Sequence, residues 1–446
     1  MNSRRPAFGL LCLAINCAQL VFAADNSPPP GFTALFNGQD LTGWYGWPQF
    51  DPRTAKTFPE FADLYHKHQA EFLAHWTVDN GELVNDGKGP YATTNKQFGD
   101  IELHIAYKTV PLADSGIYLR ATPQVQIWDW HQEFDPKRPT RKPFLGSGGL
   151  FNNSPDAPGR DPMVLADRPF GEWNEFRITQ TGARTSVLFN DQLVVDHAIM
   201  ENFWDRKSPL FLRGPIQLQT HGGEIRWKNI YMKELSAEES NRILASHNAD
   251  GFVSLFNGEN LDGWAGEVDC YEVVNGAIRC KPGKGGVLHT RTEYSDFVAR
   301  LEFKLPPAGN NGLAIRYPGE GQPHLTAMCE LQILDSEHKQ YASLDARQYH
   351  GSAYGMVPAV RGYLRPTGQW NFQEVTVRGS TVMVELNGTV ILDADLATVK
   401  EFKDGTPPPG KDRTTGYFGF AGHNDPVEFR NVAIKTLPSA PVAGGN

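Results

Sequence analysis

Clusters of positive charge are missing from this sequence. Among 446 residues there are 42 Lys and Arg against 51 Asp and Glu, a formal net charge of −9, with no basic block anywhere. A sequence-independent grip on nucleic acid needs grouped cations to neutralise phosphates, so the composition argues against that partner. Phosphate-binding glycine loops, nucleophile elbows, CxxC pairs and HExxH motifs are also absent. Any chemistry then falls to carboxylates, histidines and polar side chains. Cysteine is scarce at five residues, and long apolar runs are confined to the first two dozen positions. There, Arg4 and Arg5 precede an apolar stretch from Ala7 to Ala23, and Val21-Phe22-Ala23 supplies a small-residue cleavage site. Residues 1–24 thus read as a cleaved export signal. The alternative, a membrane anchor, suits the run poorly: it is short, broken by Asn16 and Gln19, and followed by no second span. The expectation is a periplasmic or secreted protein.

Export permits disulfides. Cys270 and Cys280 flank Asn275-Gly276, a two-residue hairpin signal, so a Cys270–Cys280 bridge is expected across two strands. Cys329 is then left as a small buried hydrophobe.

What the chain does have is turns, aromatics and a repeat. Its 44 glycines, 32 prolines and 10 tryptophans favour β structure. Gly31-Phe-Thr-Ala-Leu-Phe-Asn-Gly-Gln-Asp-Leu-Thr-Gly-Trp44 returns as Gly251-Phe-Val-Ser-Leu-Phe-Asn-Gly-Glu-Asn-Leu-Asp-Gly-Trp264. Ser115-Gly-Ile-Tyr-Leu-Arg120 pairs with Asn311-Gly-Leu-Ala-Ile-Arg316, and Val125-Gln-Ile-Trp-Asp129 with Leu331-Gln-Ile-Leu-Asp335. Gly171-Glu-Trp-Asn174 returns as Gly368-Gln-Trp-Asn371, and His221 precedes Asn229 as His423 precedes Asn431. Landmarks in one order over more than 200 residues mark a duplicated domain rather than a solenoid. The expected units are 31–235 and 251–437, with a helical linker within 236–250. Ser236-Ala-Glu-Glu239 is a capping box for a helix from Ala237 to about His247.

Within each unit the apolar period is two, as in Phe176-Arg-Ile-Thr-Gln180 and Thr381-Val-Met-Val-Glu-Leu386. Short strands with Asn-Gly and Asn-Asp turns predict an all-β fold: two tandem sandwiches of antiparallel sheets. The first unit carries an insertion at 45–75. Its helical part, Pro59 to Leu73, sets Phe61, Leu64, Tyr65, His68 and Phe72 on one face. His66, His68 and His75 share no helical face and read as ordinary.

In Glu330-Leu-Gln-Ile-Leu-Asp335, a strand puts Glu330 and Gln332 on one face, about 6.7 Å apart, with Leu331 and Ile333 facing the core. Asp335 joins the polar side if the strand bulges or ends there. Two carboxyls beside a groove suit glycosidic-bond chemistry; a solvated strand face closed by a turn aspartate is the plainer reading. The spacing resembles the Glu-x-Asp-x-x-Glu strand of laminarinase- and lichenase-type glucanases, with Gln332 and Asp335 in the later places. In the first unit Gln124 replaces the leading Glu and Asp129 is the remaining carboxylate. Arg120 and Arg316 recur at one position, as sugar-binding forks or as ion pairs. His221 and His423 recur before the last strand and suit proton transfer or metal ligation. Trp128, Trp130, Tyr118, Tyr349 and Tyr354 could stack on sugar rings or fill the core.

The Leu-Phe-Asn-Gly-x-x-Leu-x-Gly-Trp opening, the Gln-Ile-x-Asp strand, the Gly-x-Trp-Asn strand and the closing His-Gly…Lys-Asn-Ile resemble 3-keto-disaccharide hydrolase domains. The likeness covers about 31–235 and 251–437, and the first unit also carries Gly148-Gly-Leu-Phe-Asn152 and Gln219-Thr-His-Gly-Gly223. The second departs, with Gly422-His-Asn424. The resemblance implies a concanavalin A-like lectin/glucanase (jelly-roll) sandwich and cleavage of glycosides oxidised at sugar carbon 3, by hydrolysis or elimination. A 3-ketone acidifies the carbon-2 proton, a base removes it, and the enolate expels the carbon-1 substituent. Arg, His or a bound divalent metal would hold the enolate charge. On this sequence the catalytic candidates are Asp129, His221, Glu330, Asp335 and His423. Arg120, Gln126, Trp128, Arg316, Gln332 and Tyr354 are the candidates for substrate binding. The rival readings are a lectin-like binding protein, since this sandwich also serves lectins, and a structural surface protein.

Overall fold

Alternating strands can bury one face each only by pairing sheets, and this chain does so twice. The computed structural model describes residues 26–51, 53 and 58–438; of residues 58–64 it describes the backbone alone. The export signal lies outside the described residues. Among those described, no helix is long and apolar enough to cross a membrane.

Each half pairs an eight-stranded with a five-stranded sheet. The first half's smaller sheet runs Trp44–Trp47, Tyr91–Thr94, Gln217–Leu218, Ser115–Tyr118, Gln124–Ile127. The second half repeats that order with Trp264–Gly266, Gly285–Tyr294, Gly416–His423, Asn310–Tyr317, Cys329–Leu334. All described pairings are antiparallel. Between the sheets lie two separate apolar cores, one around Trp76, Tyr107 and Trp227, the other around Trp264, Leu301 and Phe420. One face of each small sheet fills its core; the other carries polar side chains.

The insertion helix, Phe58–His75, packs on the Trp44–Trp47 strand. Gly46 is what lets it come close, because a Cβ there would lie 2.4 Å from that of Phe72. Phe72 is fully buried, and Tyr65 and His68 meet Tyr45 and Trp47 on the other side of that strand. Phe61 and Leu64 fall outside the described side chains.

The linker helix, Ala237–Ser246, starts on the expected capping box, with Ser236 and Glu239 bonded reciprocally. It bonds both halves: Ser240 donates to Asp100 at 2.9 Å and Asn241 to Glu302 at 3.0 Å. Beside it Arg184 grips Glu385 across the seam, and the Ala183 N–H donates to the Gly388 carbonyl at 2.9 Å. Two hairpin turns abut there. A Cβ on Gly182, whose φ is +57°, would fall 2.2 Å from the Asn387 oxygen. Gly182→Ala is therefore expected to cost about 1–3 kcal/mol, read as a lower melting temperature of the full chain. An unchanged melt would mean that the turns do not meet in solution.

The expected Cys270–Cys280 bridge needs correcting. All three described cysteines are free. The Asn275-Gly276 turn forms as predicted, but the register it fixes puts Tyr271 opposite Cys280 and leaves Cys270 one step beyond. Neighbouring positions on a strand point to opposite faces.

Candidate active site

On the Cys329–Leu334 strand, Cys329, Leu331 and Ile333 enter the core, so Glu330 and Gln332 turn the other way. They line a cavity of ≈ 160 Å³ with Asn310, His324, Tyr354 and His423. Glycine makes room for the carboxyl: a Cβ on Gly312 would sit 2.3 Å from Glu330 Oε1. The Asn311-Gly312 landmark thus has a steric cause.

Glu330 is only 8% exposed. Loss of hydration raises its pKa from 4.5 to about 7, while the backbone N–H of His324 pulls weakly the other way. His324 Nδ1 stands 3.8 Å from Glu330 Oε2, and burial pushes the imidazole below its usual range, so it is neutral near pH 7. Its ring lies 5.3 Å from that of Tyr354. The Tyr354 hydroxyl accepts from Gln348 Nε2 at 2.7 Å and keeps its own proton to donate. A loop hydrogen-bonded along the edge strand carries this tyrosine, with the Tyr354 N–H on the Glu330 carbonyl at 2.9 Å. Gln332 donates to Asn310 Oδ1 at 2.6 Å, and the Asn310 N–H to Asp425 at 3.0 Å. The register sets Glu330 level with Gly419, four residues before His423. Glu330 and His423 therefore occupy opposite ends of the cavity.

Asp335 is elsewhere. Its carboxylate accepts from the Ala308 N–H at 2.9 Å, closing a tight turn in which Ala308 has φ +59°. Asp129 does the same in the first half, accepting from Leu112 N–H at 2.8 Å and His131 N–H at 3.0 Å. Both aspartates staple loops, a correction to their catalytic assignment. Asp335→Ala is expected to lose about 1–2 kcal/mol of stability, seen as a lower melting temperature with turnover kept within about threefold. Loss of turnover by orders of magnitude with an unshifted melt would return Asp335 to the reaction.

The two arginines are corrected too. Arg316 is buried, bonded to the carbonyls of Ser295, Gly379 and Arg413 and to Asp296 at 2.9 Å. Arg120 likewise holds Phe211, Gly99 and Asp100. Both guanidiniums are buried, and neither lines the cavity around Glu330. Tyr349 is buried against Arg361, and Trp130 stacks on His131.

In the first half Gln124 stands where Glu330 stands in the second, against Gly116. Gln126 donates to Asp114 at 2.8 Å; Arg141 and His221 reach the other Asp114 oxygen at 3.0 and 3.2 Å. The Asp114 hydrogen bond raises the pKa of the exposed His221. Trp128 is covered by Arg141, 4.7 Å over its ring.

Sequence reasoning missed Asp114, His324, Gln348 and Arg141. Asp114 directly precedes the Ser115-Gly landmark, a usable signal. His324 comes from a glycine- and proline-rich loop with no repeat partner, and nothing local marks it.

A family model, the 3-keto-alpha-glucoside-1,2-lyase-like domain, matches residues 31–233 and 251–435. This chain belongs to that family. A 3-keto-disaccharide hydrolase of Bacteroides thetaiotaomicron is 26% identical over 248 residues, covering 46% of this chain and 86% of its own. Among solved structures, a Parabacteroides distasonis protein provisionally called a glycosyl hydrolase is 26% identical, with a TM-score of 0.39 over 46% of this chain and 99% of its own. Glu330 is the carboxyl that lines the second half's cavity. Among the described residues no three His, Cys, Asp or Glu side chains converge as metal ligands. The divalent ion that stood beside Arg and His as a possible holder of the enolate charge thus has no such ligand set among the described residues.

Proposed function

We propose that the second half cleaves 3-keto-glycosides by proton abstraction at sugar carbon 2. The observation that carries this reading is the buried Glu330 carboxyl, raised to about 7, beside a neutral imidazole. As carboxylate, Glu330 takes the carbon-2 proton; the electron pair moves toward the carbon-3 ketone as an enolate. The Tyr354 hydroxyl donates to the enolate oxygen, as preorganised donors do where charge develops. Collapse of the enolate forms the carbon-1–carbon-2 double bond and breaks the bond from carbon 1 to the departing oxygen. His324, neutral and within 3.8 Å of Glu330, relays the proton: Nδ1 takes it from the Glu330 carboxyl as the Nε2–H passes to that oxygen, leaving Glu330 a carboxylate again. Water adding across the double bond would complete a net hydrolysis. Gln332 and His423, farther along the cavity, would hold the departing sugar.

The test is incubation of the full chain with a 3-keto-disaccharide carrying deuterium at carbon 2. Expected are release of the free aglycone sugar and a slower rate for the deuterated substrate. Saturable binding without turnover would defeat the enzyme reading. Export belongs to the same proposal and rests on the Ala7–Ala23 stretch alone; the mature protein should begin near Ala24 on N-terminal sequencing, and an intact Met1 would reject it.

A further inference from the structure

We infer that the first half binds a neutral saccharide without cleaving it, on the sheet that corresponds to the one lining the second half's cavity. The inference rests on the reading of Glu330 given above.

The two small sheets share strand order, so their polar faces can be compared position by position. Gln217 pairs with Thr93 and Tyr118, where Gly419 pairs with His289 and Ala314. Two residues on, Gln219 stands where the second half has Ala421. The second half thus carries the small residues Gly419 and Ala421 where the first half carries long amides. The first half spreads amides and phenols across it.

Its chemistry differs accordingly. Gln124, in Glu330's place, can take no proton. Asp114 spends its oxygens on Gln126, Arg141 and His221. Among the described residues no unpaired carboxylate is left beside Gln124.

Acceptors, in contrast, are in surplus. The side-chain oxygens of Gln124, Gln217 and Gln219 are buried and lack any hydrogen-bond partner. The three residues are 3%, 0% and 6% exposed. Burying one unmatched amide oxygen costs about 1–3 kcal/mol, so three on one face call for donors from outside. Hydroxyls of a neutral sugar are such donors; a phosphate or carboxylate would be repelled. Beside them the rings of Tyr91 and Tyr118 lie 5.6 Å apart, with Gln219 Nε2 donating to both hydroxyls at 3.3 and 3.5 Å. Tyr91 is half-buried and marks the open side of the row.

The experiment is calorimetric titration of the full chain, in a Glu330→Gln background, with trehalose, which lacks the 3-ketone that the reaction above requires. Binding should persist there, weaken at least tenfold with Gln217→Leu and Gln219→Leu together, and weaken about threefold or more with Tyr91→Phe. Tyr91→Phe removes one oxygen from a half-buried ring, so it keeps the test valid should the glutamine pair fail to fold. Unchanged titration by the Tyr91 variant and by a folded glutamine variant would overturn the inference. Turnover of a 3-keto-disaccharide by Glu330→Gln at the parental rate would instead overturn the reaction assigned to the second half.

Discussion

Glu330→Gln is expected to cut turnover of a 3-keto-disaccharide by about 10²–10⁴-fold, the usual contribution of a positioned base. The amide keeps the shape of the side chain and loses the ability to take a proton. The pH dependence makes the test specific. A base works as its anion, so parental kcat should climb as pH rises through about 7, where the Glu330 carboxyl ionises. The variant's residual rate should lack that rise. Stability should move the opposite way. Because burial holds the folded carboxyl above its ordinary 4.5, its favourable contribution is whole below pH 4.5 and is lost as pH climbs through about 7. A rise from 4.5 to about 7 corresponds to roughly 3 kcal/mol. The Gln variant, with no charge to bury, should therefore melt above the parent at pH 8 and close to it at pH 4.5. A pH-independent gap between the two melts would show that Glu330 does not titrate as assigned. Full activity at every pH would remove it from the reaction.

Arg316→Met is expected to destabilise the second half by about 3–5 kcal/mol, the cost of breaking a buried ion pair. Methionine keeps the apolar stem and removes every donor. Asp296 would then lie buried, 9% exposed, with its ion-pair partner gone and, among the described residues, the Gly379 N–H still bonded to it. Three carbonyl oxygens would lose their donor as well. Urea unfolding of the full chain, with the second half losing structure first, is the measurement. A sugar-binding arginine would behave otherwise: substrate affinity would fall while the urea midpoint stayed in place. That second outcome would reverse the structural assignment, for Arg316 and by the same geometry for Arg120.

Much of the architecture was legible in the chain because it rests on local rules. Alternation of Cys329, Leu331 and Ile333 with Glu330 and Gln332 assigns faces without any tertiary knowledge. The Ser236–Glu239 capping box places a helix start to the residue. Asn275-Gly276 announces its turn, yet reading the bridge from it failed by one residue, since a hairpin register changes the face of every position it shifts.

Asp129 and Asp335 show where sequence reasoning ends. A carboxylate one or two residues past a strand can face a groove or fold back onto a neighbouring loop. Which it does depends on the left-handed turns at Leu112 and Ala308, far away in the chain. Arg120 and Arg316 recur for the same kind of reason: each anchors loops of its own half, and recurrence reports structure as readily as function.

By itself, then, the sequence determined a chain folded twice on one strand plan, with Glu330 and Gln332 on the polar face of an edge strand. Only the tertiary structure brought His324 and Tyr354 to that carboxyl and took the water away from it. Those groups come from a short helix, Pro323–Thr326, and a separate loop, and a raised pKa is a property of the space that packing encloses, which no pattern along the chain encodes.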